Sequence, residues 1–274
     1  MGAKELFIAI VPVVVLLVFI YIKDVDKEPR KLLIKLFLFG CLSVIPILIG
    51  ELLIDEIIPT TYIPNFFISF ITTFISVALV EEIGKWFVTY FSSYKSKDYN
   101  HSFDGIVYAV FVSLGFAIVE NVLYVYKFGF DTGVDRAKFS IPGHAVFGVF
   151  MGYYLSLSKS YALKGDKKSL WYLILSILVP SLCHAIYDSI ILYYQANPSL
   201  EYLSEVFIIY VYTSYSIAIG LVNKTALIKY NFDGREITGK KVNRNYCYYC
   251  GAPITDRICS QCGRDQSIRW LYEE

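Results

Sequence analysis

The segment Glu81-Glu82-Ile83-Gly84-Lys85 puts two acids and a lysine inside an apolar run from Phe66 to Phe91. An ionised side chain at the centre of a spanning helix costs roughly 2.5–3.5 kcal/mol on insertion scales, so such groups turn to protein or a wet cavity. The bland alternative is a structural Glu81–Lys85 ion pair at i,i+4. Other apolar runs carry polar groups too. One reads Phe116-Ala-Ile-Val-Glu120-Asn121, and the next opens Ile141-Pro142-Gly143-His144 with Arg136 just upstream. A later one contains His184-Ala-Ile-Tyr-Asp188, whose spacing sets imidazole and carboxylate on one helix face. Two of the three histidines in the chain fall in this set. A lone helical histidine is more often a satisfied core residue, but packing has no need for this many costly groups.

Such a set can hold a water nucleophile. A glutamate in a low-dielectric cavity can take a proton from water, and an imidazole can donate to an oxyanion or a leaving amine. Glu82, Glu120, His144 and His184 are equally a ligand set for a catalytic divalent metal with an open position. The residues leave both chemistries open. The sequence contains neither His-Glu-x-x-His nor Gly-x-Ser-x-Gly, which removes the commonest zinc-protease and serine-hydrolase arrangements. Lys85, Asn121 and Arg136 read as supporting groups that orient or neutralise.

The elements that must position these residues are membrane spans. The chain has 274 residues, 56% hydrophobic and 17% aromatic, with its apolar residues in blocks rather than interleaved with charge. A span needs about 20 mostly apolar residues. Seven runs qualify or nearly so: Leu6–Ile22, Leu32–Ile54, Phe66–Phe91, Gly105–Tyr126, Phe139–Leu157, Leu170–Tyr194 and Tyr202–Ile228. The expected fold is therefore an all-α polytopic membrane protein of about seven helices. Leu6–Ile22 reads as a first span, because no small-residue cleavage site follows it. Pro142-Gly143 predicts a broken or re-entrant start to the fifth span. Lys and Arg crowd the first, third and fifth loops and the tail, which places the N-terminus outside and the tail in the cytoplasm. A net charge of +1 without a basic stripe argues against nucleic acid as a partner.

Four of the six cysteines lie in the last thirty residues, as Cys247-x-x-Cys250-Gly and Cys259-x-x-Cys262-Gly. Paired knuckles of this spacing suit one tetrahedral zinc ion, closed by four sulfurs and therefore structural. A reducing cytoplasm keeps such thiols free for metal. The expected domains are a helical membrane domain over 1–228, a linker over 229–246, a zinc ribbon over 247–263 and a tail over 264–274.

Taken together, Glu81-Glu82-x-x-Lys85, Phe116-x-x-x-Glu120-Asn121, Pro142-x-His144 and His184-x-x-x-Asp188 resemble the PrsW family of intramembrane proteases, distant relatives of the CAAX prenyl proteases and the bacteriocin-immunity-type membrane proteases. The resemblance implies a prokaryotic cell-membrane endopeptidase that cuts a membrane-anchored protein, an anti-sigma factor being the best-known type. It further implies that Glu81 or Glu82 activates water, with Glu120, His144 and His184 completing the site. The prenyl-protease relatives carry His where Glu120 stands and usually Asn where Asp188 stands, and an acid at those positions favours metal binding. The competing expectation is a transporter or receptor using the same acids and histidines for proton or cation handling. Counting along the spans sets Glu81 and Glu82 on the inner side of mid-membrane and Glu120, His144 and His184 on the outer side, a mismatch on the order of 10 Å. A single site requires that mismatch to close.

Overall fold

The computed structural model describes residues 1–60, 63, 65–228, 231, 232, 234 and 258–261. Within them the fold is helical. The helices are α1 (Ala3–Lys23), α2 (Arg30–Asp55), α3 (Phe66–Thr73), α4 (Leu79–Ser93), α5 (Asp104–Phe128), α6 (Phe130–Lys138), α7 (Ser140–Ala162), α8 (Lys168–Ala196) and α9 (Tyr202–Ala226). A π-helical turn over Phe74–Ala78 joins α3 to α4, so Phe66–Ser93 runs as one continuous span.

Six helices are long and apolar enough to cross a membrane: α1, α2, the α3–α4 span, α5, α8 and α9. The expected fifth span is present as α7, but α7 is not in that set. Its sequence is rich in Gly, Ser and Tyr, and it packs chiefly against α5 and α8. A helix enclosed by protein does not need an apolar surface all round, so α7 can be polar where α1 and α2 cannot. The expected break at Pro142-Gly143 does not occur. Pro142 lies in the first turn of α7, where its missing N–H costs nothing, and the helix runs on without interruption. The short helix α6 fills the loop before it.

The core centres on α5, which is buried from Asp104 to Ala117 apart from a partly buried Phe111. Backbones approach closely where glycines permit. A Cβ on Gly152 of α7 would stand 2.2 Å from the Gly105 carbonyl oxygen of α5, and one on Gly40 of α2 would stand 2.2 Å from that of Val112. Small residues at such crossings are how membrane helices gain contact without a hydrophobic driving force between them. These crossings draw α2, α5 and α7 around the polar site. Of the four expected zinc ligands, Cys259 is described and buried, while Cys247, Cys250 and Cys262 lie outside the described residues.

Candidate active site

α4 brings Glu81, Glu82 and Lys85 to the interior directly after the π turn. One extra residue per turn changes the phase of the helix, and such turns recur at functional sites. It sets this polar triplet inward while Ile83 and Phe87 face outward. Lys85 is fully buried and donates to Glu81 Oε2 at 2.9 Å and to Glu82 Oε1 at 2.7 Å. The ammonium also lies 3.3 Å from His144 Nδ1 and 4.5 Å from the Phe116 ring centroid.

Because Lys85 donates to Nδ1 of His144, that nitrogen carries no proton, and Nε2 carries it instead. Nε2 donates to Glu120 Oε2 at 2.9 Å. Arg136 of α6 holds the same carboxylate oxygen at 2.8 Å and donates through Nε to Asn121 Oδ1 at 2.9 Å. Asn121 in turn donates to the Ala9 carbonyl of α1 at 2.9 Å. The supporting groups thus form one chain from α1 to His144. Ser113 donates to the His144 carbonyl at 2.7 Å.

His184 enters from α8. Its Nδ1 lies 3.1 Å from Glu82 Oε1, its Nε2 lies 3.2 Å from Asp188 Oδ2, and the Phe147 ring stacks on it at 4.7 Å. Both ring nitrogens therefore face carboxylate oxygens. The third histidine of the chain, His101, is used elsewhere, between the Ile228 carbonyl and the Phe103 N–H.

Every residue expected at the site is in this one network, so the mismatch along the membrane normal is closed. Helix side chains lean toward the N-terminus of their own helix. Consecutive spans α4 and α5 run in opposite directions, so Glu81, Glu82 and Lys85 lean toward Glu120 and it leans toward them. Among the described residues, the donor atoms of Glu81, Glu82 and His144 come within 4.8 Å of one another and could hold a metal ion. Of the four residues anticipated as ligands, Glu82 and His144 belong to that group, while Glu120 and His184 touch its members from outside.

One site group escaped the sequence reading. Glu51 of α2 lies within electrostatic reach of Glu81, Glu120, Lys85 and His184. It sits four positions before Asp55-Glu56 at the end of an apolar run, where an acid reads as interfacial. Its only sequence signal is helical phase: it is spaced i,i+4 from Ile47 and i,i+3 from Ile54, which line the cleft between α2 and α4. With Glu51 the site holds five acids, Glu51, Glu81, Glu82, Glu120 and Asp188, against two permanent cations, Lys85 and Arg136. Histidine protons, carboxyl protons or a bound cation must offset the remaining negative charge.

A bundle of apolar spans that encloses acids and imidazoles around a potential metal site defines an integral membrane protein whose reactive groups are shut between helices. Comparison with known proteins narrows the class. Residues 28–219 match the family described as PrsW family intramembrane metalloprotease, and the chain belongs to that family. It is similar to Protease PrsW of Oceanobacillus iheyensis, 40% identical over 182 residues that cover 66% of this chain and 80% of the relative. It is also similar to Protease PrsW of Clostridioides difficile, 35% identical over 234 residues covering 82% and 91%, and to that of Bacillus subtilis, 36% identical over 183 residues covering 66% and 80%. No solved structure matches the chain. The protein is an intramembrane protease of a metalloprotease family, and its substrate is a protein.

Proposed function

We propose that the chain hydrolyses a peptide bond of a membrane-anchored protein at Glu81, Glu82 and His144, with a divalent metal ion held by these three residues. The convergence of two buried carboxylates and a proton-free imidazole nitrogen carries the reading. Three further features fit a metal. Glu82 Oε2 is buried and has no hydrogen-bond partner. The far nitrogen of His144 is held by a carboxylate, as metal-ligating histidines usually are. Two carboxylates and an imidazole leave a coordination position open for water or substrate. The Lys85 ammonium engages the same three residues, so it and a cation compete for them.

When bound, such an ion polarises the scissile carbonyl and makes its water acidic enough to attack near neutral pH. The residues of the chain do the rest. Glu120, fixed by Arg136, holds His144 in the tautomer that leaves Nδ1 bare. His184, held between Glu82 and Asp188 and stacked on the Phe147 ring, orients the Glu82 carboxylate. Glu82 and Lys85 have fully buried side chains, whereas the Asp188 side chain is 25% exposed and that of Glu120 17%.

The anti-sigma-factor type is the substrate class this reading favours, by resemblance. The same reading keeps Cys247, Cys250, Cys259 and Cys262 as a cytoplasmic structural zinc ribbon over 247–263, after the membrane domain over 1–228 and the linker over 229–246. The N-terminus is outside, on the Lys and Arg distribution.

Metal analysis together with cleavage of a single-span reporter protein, tagged at both ends, tests the proposal. Glu81→Gln, Glu82→Gln and His144→Ala should each lower cleavage by about 100-fold or more. Each should also lose an ion that persists in a chain ending near Lys241, which lacks the cysteine tail. Full activity in both Glu→Gln variants would overturn it.

A further inference from the structure

The α3–α4 span carries a row of hydroxyls ahead of its acids. Ser69, Thr72, Thr73 and Ser76 are all buried, while Phe67 and Ile71 beside them face outward. A hydroxyl in a membrane helix ordinarily returns to a carbonyl of its own helix or bridges to a neighbouring segment. Thr72 does the first, donating to the Ile68 carbonyl at 3.0 Å, and Ser76 does the second, donating to the Ile58 carbonyl at 3.0 Å. Ser69 and Thr73 do neither. Each is 1% exposed, and its hydroxyl has no hydrogen-bond partner among the described residues. Spaced i,i+4, the two share one face of α3. Across the π turn the spacing that keeps a face is one residue longer, which brings Ala78 and then Glu82 onto the same stripe. Glu82 Oε2, where the stripe ends, is also buried and unmet.

α8 is the helix packed along this stripe, against α3, the π turn and α4 in succession. Three contacts fix its register. Phe66 meets Tyr193 edge-on at 5.9 Å, Glu82 meets His184 at 3.1 Å, and Trp86 donates to Ser176 at 2.9 Å. The two elements therefore run antiparallel, and Thr73 falls between the first and second of these contacts. Counted along both helices from Trp86 and Ser176, it stands level with Ser189, next to Asp188. Ser189 spends its hydroxyl on the Ala185 carbonyl, but the Asp188 carboxylate faces His184 Nε2 at 3.2 Å. Ser69, Thr73, Asp188, His184 and Glu82 thus succeed one another from the Phe66 end of the seam to the cluster, and Ala78 adds no bulk between them.

We propose that the seam between α3 and α8 is a water-binding site, a file of water that supplies the hydrolysis from the Phe66 end of the span. Each peptide bond cut consumes one water, and hydrocarbon around the spans holds none to give. A buried water needs about two to four polar partners. The hydroxyls of Ser69 and Thr73, the Asp188 carboxylate and Glu82 Oε2 offer them at successive levels. As mere spacers that let α3 approach α8, two alanines would serve as well and would leave no hydroxyl unmet. Only the end point at Glu82 rests on the function proposed above; the demand for water follows from protease chemistry itself.

The test uses the purified full-length protein in lipid nanodiscs and the doubly tagged single-span reporter. Hydroxyl radicals made by X-ray irradiation of water mark buried side chains where bound water lies beside them. They should mark the stretch 69–78 in the wild type, and the mark should be lost in Ser69→Ala/Thr73→Val, which keeps the shape of the seam and removes both hydroxyls. That double variant should also lower kcat by about 10-fold or more, the cost of one or two lost hydrogen bonds to the water, with KM and bound metal unchanged. Thr73→Ser in place of Thr73→Val should recover most of the rate. An unmarked seam in the wild type would overturn the proposal, and that result stands even if the double variant fails to fold. A double variant with wild-type kcat and a raised Tm would overturn it too, because the hydroxyls would then be dry. Glu81→Gln and Glu82→Gln separate this from the parent reading. If both are fully active while the seam is marked, the reading above fails and delivery to Glu82 fails with it; if both are dead while the seam is unmarked, only the water site falls.

Discussion

Around Lys85, nearly every buried acid has a cation or an imidazole set against it; around Glu28, buried acids crowd together with no lysine or arginine paired to them, and only His101 stands near, 3.9 Å from Asp104. Asp24 and Glu28 lie in the α1–α2 loop and Asp104 opens α5, all three buried. The Tyr108 hydroxyl donates to Glu28, and the Glu28 backbone N–H donates to Asp24 Oδ2 at 3.1 Å. Among the described residues no lysine or arginine pairs with these carboxylates. The nearby Lys27 gives its ammonium to the Tyr21 and Asp24 carbonyls, and Lys159 gives its own to the Tyr94 carbonyl. Burial pushes the Glu28 carboxyl up to about 8 and that of Asp24 up to about 6. Hydrogen bonds from Tyr108 and from the Glu28 N–H oppose the rise without cancelling it. Both regions face the same desolvation cost. One offsets it with fixed charges that hold acceptor atoms ready; the other offsets it with protons. A site that must keep carboxylates available near neutral pH needs the first solution, and a structural joint can use the second.

That contrast can be broken from either side. Lys85→Met should have the largest effect, leaving Glu81 and Glu82 buried without their cation. A loss of about 3–5 kcal/mol is expected for removing one partner of a buried ion pair. Thermal unfolding in detergent would measure it. Added divalent metal should recover more of the lost Tm than the same metal raises that of the wild type, because the ammonium no longer competes. Arg136→Gln should come next, cutting cleavage about 10- to 100-fold by releasing Glu120 and with it the His144 tautomer. Reporter cleavage at unchanged expression measures that effect.

Glu28→Gln sharpens the other side. A carboxyl whose pKa is raised on folding binds its proton more tightly in the folded state. Its contribution is therefore fully present below the ordinary value of 4.5 and is lost as pH rises toward about 8. Wild-type stability should fall across that window by at most about 1.4 kcal/mol per pH unit for this group. Glu28→Gln should remove this group's part of the fall, while the part due to Asp24 stays, confined to between 3.8 and about 6. Chemical denaturation at a series of pH values measures both. Ser113→Ala should be the smallest, about 1 kcal/mol for one hydrogen bond to the His144 carbonyl.

The two regions were not equally legible in the sequence. Glu81, Glu82, Glu120, His144 and His184 stand out because each interrupts an apolar run, where a polar group needs a reason. Arg136 was legible as their neighbour, although its bond to Glu120 was not. Glu51 was missed because the end of a span and the membrane interface look alike in one dimension; only α4 packed against it separates them. Asp24 and Glu28 were missed for the opposite reason. They sit among Lys23, Lys27, Arg30 and Lys31, a setting that reads as a solvated loop, and the fold buries them against α5 instead. The span count was legible in outline, but α7 owes its polar sequence to the neighbours that enclose it, which no window along the chain displays.

The pairing of charge along the chain also bears on biogenesis. Glu81, Glu82 and Lys85 sit within two turns of one helix, so that segment can leave the insertion machinery with one of its two acids already offset. Glu120 finds its cation only in Arg136, after the next turn of the chain has emerged. α5 is therefore costly to release alone and should be retained at the translocon until Arg136 of α6 has emerged to pair with Glu120. His184 comes later still, and the site closes only when α8 docks on helices already in place.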